Sequence, residues 1–302
     1  MLGQIIEINM EGCYLSVFRG FLEIKKDKKL CQRIALDSII AVIGNAYNLT
    51  YSNNLLVALA KHKVVVVFCG KNHLPQSMAL PIEGNFEQSK RIAAQAQAPL
   101  PLKKQVWAKI VQAKLKNSAR VLKALNKPFA YLEQLAKKVK SGDSDNCEAL
   151  GARYYWHELF GKDFRRNQNQ DGINALLNYS YTILRSVTAR FVISCGLNPS
   201  LGIHHCHPQN TMPLIDDLIE PFRAFADCVV YQIVQKGIFE VNAQSKKEIV
   251  MLLYKDISSP EGVIPIMIYI QKLTYSLVKI YLKESKKLDL PLEIPMELFL
   301  KD

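Results

Sequence analysis

Between Gly202 and Arg223 the sequence reads Gly-Ile-His-His-Cys-His-Pro-Gln-Asn-Thr-Met-Pro-Leu-Ile-Asp-Asp-Leu-Ile-Glu-Pro-Phe-Arg, with His204, His205 and His207 inside four positions. Imidazoles bind metals and carry protons near neutral pH. A turn-rich segment with Pro208 and Asn210 follows. Asp216 and Asp217 then mark the start of a helix, where carboxylates satisfy free N–H groups and the positive end of the helix dipole. Glu220, three residues after Asp217, projects from the same face. A histidine-bearing loop running into carboxylates at i and i+3 can hold a divalent cation. The same residues also suit an ordinary acidic helix start beside a locally bonded histidine. Cys195 and Cys206 near the histidines bring zinc into view, but no Cys-x-x-Cys supports it. Seven cysteines without paired short spacings fit reduced thiols.

The charge is placed unevenly. Net charge is +12, and residues 88–140 hold thirteen Lys and Arg against one acid, Glu133, so this segment alone equals the excess of the whole chain. Within it Lys109, Lys116, Arg120, Lys123 and Lys127 recur at three-, four- and seven-residue steps, a row that can track a phosphate backbone. A merely solvated helix face mixes signs, so a polyanionic partner, a nucleic acid, is expected. By position alone Glu148, after the turn Ser141–Asn146, is an ordinary helix-start acid.

The elements that must position these groups fall into two patterns, an α+β chain with a small β-rich domain before a larger helical one. Residues 1–70 alternate or run apolar at Gln4–Asn9, Tyr14–Phe18, Phe21–Lys25, Gln32–Ala35 and Ile39–Ile43. They then show helical spacing over Tyr51–Lys61 with Ser52 as N-cap, and a buried strand over Val64–Cys69. Gly70-Lys71 lacks the upstream glycine of a phosphate-binding loop. Residues 71–87, with Pro75, Pro81 and Gly84, read as a linker. From 88 to 302 the pattern is helical: Glu87–Ala98, Lys103–Leu125, a small-residue helix reaching Tyr154, Tyr155 and Trp156, then Asn174–Cys195, Phe222–Lys236, Lys246–Tyr254 and Pro265–Lys283. With 49% apolar residues the chain can bury a real core. Its longest apolar run is too short to span a bilayer and no signal sequence stands at its start, so a cytoplasmic protein with no membrane partner is expected.

Four stretches, in this order and spacing, resemble one family. Glu148-Ala-Leu-Gly-Ala-Arg-Tyr-Tyr155-Trp156, Asp171-Gly-Ile-Asn174-Ala-Leu-Leu-Asn178-Tyr-Ser-Tyr181, Gly202-x-x-His205 and Asp217-Leu-Ile-Glu220-Pro-Phe-Arg223 are similar to the signatures of CRISPR-associated protein one, the spacer-acquisition integrases. The form they resemble accompanies the single-chain RNA-guided effector nuclease of type II systems. Ile219 stands where Met is commoner and Ala224 where Pro is.

The resemblance implies Glu148, His205 and Glu220 as metal ligands, with Asp217 a close catalytic neighbour. Two carboxylates and an imidazole favour Mg²⁺ or Mn²⁺ over a closed zinc site. Asn174, Asn178 and Tyr181 either hydrogen-bond those ligands from behind or face the core with local partners. Tyr154, Tyr155 and Trp156 either touch substrate or pack. Lys109, Lys116, Arg120, Lys123 and Arg223 are the expected DNA contacts. The resemblance further implies insertion of short double-stranded fragments as new spacers into the leader-end repeat of a CRISPR array. The β-rich domain is then the homodimer interface, and two dimers assemble about a dimer of a small ferredoxin-like adaptation partner as a heterohexamer. The effector nuclease is a candidate further partner. A metal-dependent nuclease of branched or single-stranded DNA and a non-enzymatic basic scaffold remain as alternatives.

Overall fold

The structure, a computed structural model, describes residues 3–70, 75–205, 207–291, 293–295 and 298. Two units are distinguished, residues 1–89 with 189–197, and residues 90–188 with 198–302. The first carries β1 (Gln4–Ile8), β2 (Tyr14–Phe18), β3 (Phe21–Lys26), β4 (Lys29–Ala35), β5 (Ile39–Gly44), β6 (Thr50–Tyr51), α1 (Asn53–Lys61), β7 (Val65–Cys69) and β8 (Pro75–Ala79). Its strands form two sheets, β1-β5-β7-β8 and β4-β3-β2-β6. In the first sheet β1, β5 and β7 are parallel. Such strands bury both faces and need uninterrupted apolar runs, which Ile39–Gly44 and Val65–Val67 supply.

The hairpins β2–β3 and β3–β4 turn at Arg19-Gly20 and Asp27-Lys28, all four residues at positive φ, the backbone form that matches the twist of paired strands. Ser52 caps α1 as the sequence predicts, its Oγ accepting from Leu55 N at 3.2 Å. Residues 71–87 are not wholly connecting chain. Strand β8 lies inside them and pairs antiparallel with β7, because an edge strand tolerates Pro75. Residues 189–197 join this unit through Arg190, whose Nη1 donates to Ile39 O at 3.1 Å and Lys63 O at 2.9 Å.

The second unit is built on α3 (Leu100–Ala124), preceded by α2 (Gln88–Ala96). It continues with α4 (Ala130–Lys138), α5 (Cys147–Phe160), α6 (Ile173–Ser194), α7 (Pro213–Gln235), α8 (Ala243–Met251), the hairpin β9 (Asp256–Ser259) and β10 (Gly262–Pro265), and α9 (Ile266–Tyr281). The 23-residue α7 buries most of its residues, and the 25-residue α3 buries twelve. Asn117 of α3 donates through Nδ2 to Pro221 O at 2.9 Å and Pro291 O at 3.1 Å, which satisfies buried carbonyls near the proline inside α7. Two expectations are corrected. The unit is not purely helical, since Ser259-Pro-Glu-Gly262 is a turn joining two strands. Also α7 begins at Pro213, which suits the first helical turn, so Asp217 lies inside the helix rather than at its end. Among the described residues no helix is long and apolar enough to cross a membrane.

Candidate active site

Asp217 is the hinge of the local structure. Its carboxylate is fully buried and turns back to the loop before α7, where Oδ2 accepts from Ile203 N (2.6 Å) and His204 N (3.2 Å) and Oδ1 from His205 N (3.2 Å). His205 Nδ1 also donates to Oδ1, at 2.6 Å. That bond, strengthened by the charge of Asp217 against the opposing effect of burial, raises the imidazole pKa above its ordinary value. With Nδ1 fixed on the carboxylate, Nε2 is the nitrogen left for a ligand, the arrangement in which a carboxylate orients a metal-binding histidine. Asp217, expected as a close catalytic neighbour, sits against the Nδ1 edge of His205.

Gly202 is dictated by this turn. A Cβ there would lie 2.4 Å from His205 O and 2.9 Å from Pro213 Cβ. Gly202→Ala should therefore displace the 202–205 loop, costing about 1–3 kcal/mol in thermal or denaturant unfolding. It should also depress activity more than duplex binding. An unchanged melting curve and rate would show that the loop absorbs the methyl.

One turn beyond Asp217, Glu220 is 4% exposed and holds two cations, Lys114 Nζ at 2.7 Å and Arg223 Nε at 3.1 Å. Burial alone would raise the Glu220 pKa, but Arg223 and Lys114 outweigh it and hold the carboxyl below its usual range. Burial likewise opposes the charge on Lys114, yet Glu220 and Glu148 keep its pKa above the normal lysine value. Glu148 pairs with the same ammonium from α5. The start of α5 is fixed by Asp143, whose two oxygens accept from Cys147 N and Glu148 N, both at 2.9 Å. Glu148, His205 and Glu220, from three separated stretches of sequence, line one cavity of about 280 Å³ with Lys114 and Arg223.

The donor types suit a hard divalent cation, two carboxylates and one imidazole nitrogen. Among the described residues no three acidic, histidine or cysteine side chains are already gathered to hold an ion. Lys114 stands between the two acids, so an ion binding there would displace the ammonium. Cys206 lies outside the described residues, and Cys195 is a buried free thiol.

Behind the cavity, the three polar residues of α6 take the second of the two arrangements open to them, with partners other than the acids. Asn174 Oδ1 and Asn178 Oδ1 accept from Arg166, at 2.9 and 2.6 Å, rather than supporting the acids. Tyr181 donates to Asp227 Oδ1 at 2.6 Å, and its ring carries Arg223 on one side at 4.7 Å and Arg166 at 5.5 Å. Burial pushes the Asp227 carboxyl up to about 7 despite these partners. Arg223 is thus an internal counter-charge to Glu220. Of the aromatic run on α5, Tyr154 packs on Tyr131, while Tyr155 and Trp156 reach the cavity wall.

Sequence reasoning counted Lys114 only as one of many lysines. The signal was its place on the apolar stripe of α3 that includes Trp107, Val111 and Ser118, where a lysine needs an anion. The expected DNA row lies elsewhere on that helix. Lys116 and Lys123 are exposed, Arg120 is bonded to Asn117 Oδ1 at 2.8 Å, and Lys109 donates to Lys286 O at 3.0 Å. Five residues separate Lys109 from Lys114, about 140° around a helix, so the row is turned well away from the cavity. Lys103, Lys104 and Trp107 line a second cavity on the same side as Lys114.

This two-part fold, a β-rich unit and a helical unit, is shared by solved structures. The structure titled as casposase bound to integration product matches with a TM-score of 0.82 at 21% identity, covering 99% of this chain and 96% of that one. A chain of a Cas6-RT-Cas1–Cas2 complex matches at 0.76 and 17% identity, covering 96% of this chain and 36% of that one. The family model described as CRISPR associated protein Cas1 matches residues 6–258. The CRISPR-associated endonuclease Cas1 of Neisseria meningitidis serogroup C is 32% identical over 289 residues, 92% of this chain and 95% of that protein. The chain belongs to the CRISPR-associated Cas1 family.

Proposed function

We propose that this chain is a metal-dependent integrase of the type II form that inserts short double-stranded DNA fragments as new spacers into a CRISPR array. The observation that carries the reading is the shared cavity of Glu148, His205 and Glu220, with His205 oriented by buried Asp217. In the reaction a fragment's 3′-oxygen attacks a repeat phosphodiester, the new P–O bond replaces the old one, and the repeat strand leaves with a 3′-OH. Glu148, His205 and Glu220 would hold Mg²⁺ or Mn²⁺, which supplies charge stabilisation at the phosphate oxygens. His205 keeps its proton on Nδ1, against Asp217, and offers Nε2 as a neutral donor. Arg223 stays cationic and faces the anionic centre. Lys114, once released from the acids, adds a second positive charge there.

The β-rich unit is assigned to the homodimer contact, and a small ferredoxin-like adaptation partner to the heterohexamer. The Cas1–Cas2 composition named for one structural neighbour supports that assignment. The effector nuclease is a further candidate partner, and the cytoplasm the place of work.

The test is a fluorescent 3′-OH duplex incubated with a supercoiled repeat-bearing plasmid in Mn²⁺, Mg²⁺ or EDTA. Joined product that EDTA abolishes supports the proposal. Released fragments without joining would replace it with hydrolysis, and DNA binding with no chemistry would make the chain a scaffold. The faces of α3 give a second check. Neutralising Lys103, Lys104 and Lys114 should weaken DNA binding and flatten its salt slope by about 0.7–0.9 per lost contact. Neutralising Lys116, Arg120 and Lys123 should change it less, and the opposite ranking would reassign the bound face.

A further inference from the structure

The cavity beside the active site has no role in the chemistry above. It measures about 560 Å³, the size of pockets that take a nucleotide-sized ligand, and shares His205 as a wall with the smaller cavity. Its described lining includes Lys103, Lys104 and His207 and contains no acid, so it favours an anion. The exposed His204 ring lies flat on Trp107, centroids 4.3 Å apart and planes within 4°. Trp107 is buried, meets His205 edge-on at 5.4 Å, and its Nε1 has no hydrogen-bond partner among the described residues. The backbone of His204 is tied to the buried acid, since His204 N donates to Asp217. Gly142, having no Cβ, leaves room for the stem of Lys104, whose Cγ would lie 3.1 Å from one. A flat, preorganised π face beside two ammonium groups matches a base and its phosphate better than an inorganic anion, which would have no use for the ring.

We propose that His204, laid on Trp107, is a stacking platform for one unpaired nucleobase of the DNA strand whose phosphate enters the neighbouring cavity, with Lys103 and Lys104 on the backbone of that nucleotide. This rests on the reading of the smaller cavity as a phosphodiester site. The platform selects substrate and leaves the chemistry to His205, so His204 governs which strand ends are bound rather than how fast they react.

In a Trp156→Phe background Trp107 is the sole tryptophan, and its emission reports on this cavity. With EDTA present, a single-stranded deoxyadenosine tetranucleotide should quench it saturably. An abasic tetranucleotide of equal charge and free dAMP should each bind at least about tenfold more weakly. His204→Ala should weaken tetranucleotide binding by about ten- to a hundredfold, the range of one base–aromatic stack, and His204→Phe should restore it. Equal binding of the abasic strand, or an unchanged affinity in His204→Ala, would overturn the platform. Binding of dAMP as tight as that of the tetranucleotide would make this a free-nucleotide site and overturn it equally. None of these measurements requires joining. Quenching that survives a failed strand-transfer assay would remove the integrase reading alone, and normal strand transfer without quenching would remove the platform alone.

Discussion

His205→Ala abolishes strand transfer while leaving fold and duplex affinity intact: that is the largest effect expected of any single substitution in this chain. The imidazole is about one-third exposed and packs on Trp107 only through an edge, so its removal opens little core. It does remove the only nitrogen ligand proposed for the ion. Loss of an interaction worth several kcal/mol at the reacting phosphate corresponds to roughly a thousandfold or more in rate. His207→Ala should keep most activity, since His207 is exposed and its Nδ1 only accepts from Gln209 N at 3.3 Å. His204→Ala should keep the maximal rate and lose affinity for unpaired ends. The measurement is the strand-transfer rate at saturating DNA, with binding followed separately. An active His205→Ala variant beside an inactive His204→Ala would shift the ligand by one position and overturn the proposed set.

The second large effect belongs to Asp217. Asp217→Ala leaves the N–H groups of Ile203, His204 and His205 without their acceptor and frees the imidazole, and one of those residues, Ile203, is buried. A cost of about 3 kcal/mol or more in unfolding free energy is expected. Asp217→Asn is the sharper test because it preserves shape. Its one carbonyl oxygen cannot serve all the donors that two carboxylate oxygens serve, and its NH₂ faces backbone N–H groups. Metal affinity and strand transfer should fall by about 10- to 100-fold, as when the outer partner of a metal-binding histidine is lost. If Asp217→Asn melts and reacts like the parent, the carboxylate does not orient His205.

Much of the fold was legible because the relevant forces are local. Alternation and unbroken apolar runs located β2, β3, β5 and β7, and Ser52 capped α1 as read. The errors arose where tertiary context overrode local pattern. Strand β8 carries Pro75 and polar side chains, so nothing in its own residues marks it; it exists because β7 offers an unpaired edge. The acids Asp216 and Asp217 looked like one helix-start pair. In the structure Asp216 meets Asn210 and Arg185 while Asp217 is buried against the preceding loop, a division that adjacent residues of the same type cannot announce. The proposed ligands were named by resemblance, and spacing alone did not separate His205 from His204. What separates them is which imidazole reaches Asp217, and that depends on a turn which only glycine at 202 allows. The basic row shows a related effect. Charge counting finds a cationic helix, but the side of α3 that matters is fixed by what α3 packs against.

The ion pairs of Lys114 have a consequence for biosynthesis. One side chain from α3 ties an acid on α5 to an acid on α7, so the junction of three helices is closed with groups the polypeptide itself carries. A newly made chain can complete this part of its tertiary structure without waiting for any inorganic ingredient, unlike small domains whose folding free energy comes from their metal.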